Sequence, residues 1–379
     1  MELAADGIGD TERLVVSVLQ YNKETEDMSV IRRFLMLELS EIRTRSHTEG
    51  DMNQYEMDQF KRPIVCAFTH TGFCISQCFT EKLGAESIRI AHRAFYVSQT
   101  YSEESRNSMG DSITDCLKQM NNLSGDQVVL SIPSTEIRYW GIDLGDDWSG
   151  DDHSELRSLV ANELNERKET LCVDSYPLNS SKSKRVAVIA QRSKVEWYDQ
   201  VIRDAGLKPV GMDTNAGAIA RCIAESPGSG PMLAIELASG MMTCILCKAG
   251  VPVFVCSNNY VNPPDNDGSK HDASLEVHID PNIEQVARMV KSFLHYVDQN
   301  YGNALIPTHG VIVSDWESVN LSRIIETQVG IQMRPLVDSL RSDVSQLTNR
   351  LPKDTSIESA LVSIGLSRYF DIPDVRRAA

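Results

Sequence analysis

The chain has 379 residues, 41% of them hydrophobic and 24% charged, ordinary proportions for a globular protein long enough to bury cores in two or more domains. Its formal net charge of −16, with no basic stretch of any length, sets it against phosphate backbones and anionic lipid, so neither nucleic acid nor a membrane surface is an expected ligand.

Residues 1–60 read as an N-terminal extension. The opening MELAADGIGDTERL is acidic where a secretory signal would be basic and then apolar, and residues 29–42 predict one short helix ahead of the polar run RTRSHTEGDMNQ, with Met52 and Met57 as candidate starts of the folded part. From Pro63 the pattern is αβ. Strands are predicted at 64–68, 73–79 and 87–97, a helix at 112–120, strands at 128–132 and 136–144, a helix at 154–166, and strands at 171–176 and 185–190. A helix at 194–205, stopped by Gly206, leads to a strand at 209–212.

The second half opens with a helix at 215–224 and a Pro/Gly hinge, SPGSGP, at 226–231. Pro231 to Phe254 reads as strand, Ser-Gly turn, strand, Gly turn, strand. Glu236, Lys248 and the turns interrupt it, so no window supplies the roughly 18 uncharged apolar residues of a membrane span. A polar loop over 258–272 precedes a long helix, 281–301, with an apolar stripe at Ile283, Val286, Val290, Phe293, Leu294 and Val297. A strand at 310–314, a helix at 317–329, a strand at 331–335 and a helix at 357–366 complete the chain. The nine cysteines sit in apolar runs, which fits reduced core thiols of a cytoplasmic protein.

Several strings stand in an order that points further: VVLSIPSTEIRYWGIDL, SELRSLVANEL, VAVIAQRSKVEWYDQVIRDAGLKPVGMDTNAGAIAR, LAIELASGMMTCILCKAGVPVF and ALVSIGLSRYF. Together they resemble the PilM family of cytoplasmic type IV pilus assembly proteins, over about Pro63 to Phe370, and more distantly MshI and the cytoplasmic part of GspL. The resemblance implies an α/β, two-lobed actin-like fold with a small inserted αβ subdomain of the FtsA kind. The first lobe would be 61–225 with the insertion at about 128–206. The second would be 226–379, its last helix returning to the first lobe.

An actin-like nucleotide site needs an acidic residue and glycine-rich turn in the first hairpin, a second acidic turn in the opposite lobe, and a Gly-Gly pair after a later strand, because side chains would hold the backbone away from phosphate and base. In the first hairpin, CAFTHTGFC has Ala67 or Phe68 where the acid belongs and Thr69 where the glycine belongs. In the third element, Asp315 and Trp316 replace bare backbone. Glu236, Ser239 and Gly240 stand as the remnant phosphate turn of the second element. ATP and Mg²⁺ are therefore not expected to bind, and the chain reads as a degenerate actin-like ATPase.

Other constellations read as structural. Cys244 and Cys247 form a CxxC, but within a strand they face opposite ways. The acids Asp143, Asp146, Asp147, Asp151, Asp152 and Glu155 lack calcium-loop spacing and read as a solvated loop at a helix N-terminus. The eight histidines show no ligand-pair spacing.

The resulting expectation is a non-catalytic scaffold at an inner-membrane platform, of a type IV pilus or a type II secretion-like system. It would be held there by the short cytoplasmic tail of a single-pass PilN-like protein, docked in a groove near 73–79 and 131–139, with homo-oligomerisation left open. The alternative is a nucleotide-driven actin-like ATPase.

Overall fold

The computed structural model describes residues 62–69, 72–80, 86–94, 101–120, 123–145, 153–178, 184–223, 230–238, 241–248, 250–259, 281–301, 305–314, 319–348 and 356–369, all within the compact unit Gln59–Ala379. The expected extension, its helix at 29–42, the acid-rich 146–152 and most of the polar loop after 258 lie outside the described residues.

Strands β1 (Ile64–Thr69), β2 (Gly72–Thr80) and β3 (Glu86–Ala94) form an antiparallel meander, to which β4 (Gln127–Ile132) and β8 (Lys208–Thr214) add in parallel. The order is β3-β2-β1-β4-β8. Every residue of β1, IVCAFT, is buried, as a central strand covered on both faces requires. On one face Phe68 meets Tyr198 of helix α3 (Arg192–Asp204), ring centroids 4.8 Å apart. On the other, Cys74 accepts a hydrogen bond at 3.4 Å from Ser363 of helix α9 (Ile357–Ser367).

Helix α1 (Glu103–Gln119) begins nine residues earlier than its apolar spacing predicts, at Glu103 and not Ser112. Its first turns are polar, and what starts it is local: the Ser102 hydroxyl accepts from Ser105 N–H, with Glu103 and Glu104 at the positive end of the dipole.

Between β4 and β8 lies a separate three-stranded antiparallel sheet, β5 (Ile137–Asp143), β7 (Lys184–Gln191) and β6 (Leu171–Pro177) in that spatial order. Helix α2 (His153–Leu164) covers one face, placing Leu156, Val160 and Ala161 on Leu171, Val173, Ala187 and Ile189. Residues 128–132, expected to open the insertion, are instead a strand of the first lobe's sheet, paired with β1 and β8. The return helix α3 ends at Gly206, whose φ of 80° is the left-handed conformation of a helix stop.

The second lobe repeats the plan. β9 (Met232–Ala238), β10 (Met241–Lys248) and β11 (Val251–Asn259) form a meander, and β12 (His309–Val313) and β13 (Gln332–Arg334) add in parallel, in the order β11-β10-β9-β12-β13. Helices α5 (Pro281–Tyr301) and α6 (Val319–Val329) pack on it, with Val286, Val290, Phe293, Leu294 and Val297 in the core as their spacing predicts. The short helices α7 (Leu336–Ser339) and α8 (Ser342–Thr348) have no counterpart in the sequence reading.

β1 and β9, which carry the first and second elements of the expected nucleotide site, lie in different sheets. Helix α9 packs on β1 and β2 and crosses α4 (Asn215–Cys222). That crossing is close: a Cβ on Gly365 would lie 2.5 Å from the carbonyl carbon of Ala218 and 2.8 Å from its Cα.

Candidate functional site: the interlobe cleft

The first hairpin brings no carboxylate to the cleft. Ala67 and Phe68 are buried, and the hydroxyl of buried Thr69 turns inward to the Gly72 carbonyl at 3.4 Å. His70 and Thr71 lie outside the described residues. Helix α4 starts beside this turn, a place where free N–H groups would receive an anion. Two of its leading N–H groups are committed to protein oxygens: Ala216 to Ser134 Oγ at 3.0 Å, and Gly217 to Thr214 Oγ1 at 2.9 Å. Asn215 Nδ2 donates to the Phe68 carbonyl at 2.9 Å, tying the helix to β1.

On the opposite side Glu236 stands late in β9, register partner of Thr243 and Val313. It is 2% exposed. Burial pushes its pKa above the ordinary carboxyl value, with the neighbouring Glu358 and Thr243 pulling the other way. Glu358 occupies the first turn of α9 and is itself buried. The acid read as part of the remnant phosphate turn thus has as its neighbour a second buried carboxyl, on the helix that completes the first lobe. Two adjacent buried carboxyls do not both ionise readily. Ser239 and Gly240, with Asp315 and Trp316 of the third element, lie outside the described residues.

Below the cleft, the parts are joined largely by residues the sequence reading did not single out as functional, Arg221, Asp213 and Thr214 among them. Arg221, 6% exposed, pairs with Asp213 and donates through Nε to the Gly365 carbonyl at 2.9 Å. The buried hydroxyls of Tyr139 and Thr214 are bonded at 2.5 Å. Cys244 faces the second lobe's core while Cys247 is buried on the opposite face of the strand. Burial pushes the Cys244 thiol pKa well up, away from thiolate chemistry.

A small pocket of about 100 Å³ opens on the insertion, lined among others by Glu136, Arg138, Glu166, Leu171, Gln191 and Lys194. Glu136 is its hub. It accepts from the hydroxyls of Tyr101 and Tyr198 and pairs with Lys194 at 3.6 Å, while Arg138 pairs with Glu166 at 2.7 Å. Of the two stretches expected to line a docking groove, Thr135, Glu136 and Arg138 contribute to this pocket, whereas Gly72–Cys78 is buried under the neighbouring helices.

No family model matches the sequence, and no curated protein resembles it significantly in sequence. Solved structures do. A chain of the PilM-PilN type IV pilus biogenesis complex superimposes with a TM-score of 0.63 at 13% identity, covering 82% of this chain and 99% of that one. The cytoplasmic domain of EpsL, an inner-membrane component of the type II secretion system of Vibrio cholerae, gives 0.44 at 10% identity, covering 80% of this chain and 94% of that domain. A Bacteroides thetaiotaomicron protein of actin-like ATPase fold and unknown function gives 0.42 at 10%, covering 79% and 99% respectively. At such identities the likeness is one of fold: the chain has the two-lobed actin-like α/β architecture that its ordered strings predict.

Proposed function

We propose that this protein is a non-catalytic cytoplasmic scaffold of an inner-membrane assembly platform of the type IV pilus or type II secretion kind, recruited by the short cytoplasmic tail of a single-pass PilN-like partner. The observation that carries the proposal is the fold shared with the PilM-PilN complex chain over 99% of that chain. The cleft supports the non-catalytic part. Ala67, Phe68 and Thr69 are buried where an actin-like ATPase needs a carboxylate and a bare turn, and Glu236 is buried beside Glu358.

Among the described residues no helix is long and apolar enough to cross a bilayer, so on this reading the partner supplies the membrane attachment. A net charge of −16 favours a basic tail, which would lie extended along the insertion with a side chain in the Glu136–Lys194 pocket. Calorimetry of the full chain with basic tail peptides should give saturable binding that weakens as salt rises. Mg-ATP should give no saturable heat. Low-micromolar Mg-ATP binding would replace the scaffold with a nucleotide-driven ATPase, and membrane association of the protein expressed alone, surviving high salt, would remove the tail as its anchor.

A further inference from the structure

We propose that the inserted subdomain is a lock holding the two lobes at one degree of closure, with the contact between Gly141 and Tyr301 as its catch. The insertion grows out of the first lobe between β4 and β8, yet it reaches the second lobe at several points. Gly141 of β5 donates its N–H to Tyr301 Oη, at the end of α5, at 3.1 Å. Tyr176 of β6 donates its hydroxyl to the Pro252 carbonyl on β11. Leu178, just past β6, packs on the second lobe's core. Phe254 of β11 anchors the receiving side, its ring 5.3 Å from Phe293 and 5.9 Å from Tyr301.

The same strand ties the insertion to the first lobe. Tyr139, two residues from Gly141, bonds Thr214 at the start of α4, and the neighbouring Glu136 gathers Tyr101 and Tyr198. A rotation that opens the lobes must break either the Tyr139 tie or the Gly141 catch, because a seven-residue strand paired along its length to β7 does not stretch between them. Gly141 is the position that fits the catch. A Cβ there would lie 2.5 Å from Tyr301 Oη and 2.6 Å from Cε1, so any side chain drives the tyrosine off.

The test is the distance between spin labels placed through a non-canonical amino acid at Lys118, exposed on α1 of the first lobe, and Arg323, exposed on α6 of the second. The full-length protein should give one narrow distribution. Tyr301→Ala and Gly141→Val should each add a population at longer distance, with Tyr301→Phe, which keeps the ring and loses the acceptor, between them. A folded Tyr301→Ala variant that keeps the single narrow distance overturns the lock, as does a broad distribution in the unmodified protein. If Gly141→Val fails to fold, Tyr301→Ala decides; if both fail, Tyr301→Phe does, an unchanged distance again overturning the proposal.

Discussion

Replacing Gly365 with alanine sets two effects of opposite sign against each other. In the interior of a helix the change ordinarily gains about 1 kcal/mol, because alanine loses less backbone freedom on folding. At this position the new methyl falls 2.5 and 2.8 Å from two backbone carbons of Ala218, with the carbonyl oxygen nearer still. Carbon atoms pack best at about 3.5–4.0 Å, so α9 and α4 must part by roughly 1 Å, and a gap of that size forfeits up to about half of each contact it touches. No rotamer relieves the overlap, since the opposing atoms are main chain. The helices are also joined by Arg221 Nε to the Gly365 carbonyl, at 2.9 Å, and by Cys222 Sγ to the Leu361 carbonyl, at 3.2 Å. Overpacking costs about 1–3 kcal/mol and more when backbone must move, so the expected net loss is about 2–3 kcal/mol. For a chain of this size that lowers Tm by on the order of 3–4 °C. Gly110 in α1 is the control: its Cβ would meet Asp204 Cβ at 3.4 Å, an ordinary contact, and Gly110→Ala should gain up to about 1 kcal/mol. Thermal and urea unfolding followed by far-UV circular dichroism read both. Gly365→Ala matching or exceeding the parent in stability would refute the close crossing.

Glu236→Gln tests the carboxyl pair through pH. The folded-state pKa of Glu236 is raised by burial above its usual 4.5, so the folded state holds this proton longer than the unfolded chain does. The stability of the parent relative to the glutamine variant should therefore fall as pH rises from 4.5 toward the folded pKa and level off above it; a difference that does not change with pH in urea melts would refute the assignment. Thr214→Ala removes both the cap on Gly217 N–H and the partner of buried Tyr139, a loss of about 2–4 kcal/mol, while Thr214→Ser retains most of the stability in the same melts. Arg221→Met leaves Asp213 without its cation and should cost about 3–5 kcal/mol. Arg221→Lys should recover only part of it, lacking the fork that reaches Asp213 and the Gly365 carbonyl together.

Much of the fold is legible in local pattern. The boundaries of α5 coincide with its apolar stripe, and the β9–β11 meander follows its turn residues closely, because both periods are imposed by burial on one element at a time. The first turns of α1 carry no apolar period, and α7 and α8 are too short to show one. The start of the insertion is not legible because β4 reads as an apolar strand in either sheet, and only its partners, β1 and β8, decide. At the cleft, sequence identified the foreign residues Ala67, Phe68 and Thr69 from their types. It did not show what Glu236 does, since its neighbour Glu358 is distant in the chain and no spacing rule links a strand acid to the first turn of a remote helix. Glycine was the one available signal for the rest. Gly141 within a strand and Gly365 within a helix both mark places where another part of the chain comes too close for a Cβ.

The return of α9 has a consequence for synthesis. All of Glu358–Ser367 is buried, and what it covers is the sheet built from the earliest strands, β1 and β2, along with α4. Emerging from the ribosome in order, the first lobe must wait with that face bare while the whole second lobe is translated. The second lobe, contiguous from β9 to β13, needs no such visitor from downstream to close its sheet. The half made first is finished last, and a nascent chain stalled just before Ile357 would present the underside of β1 and β2, including Val65, Ala67 and Cys74, to chaperones or to other stalled copies of itself.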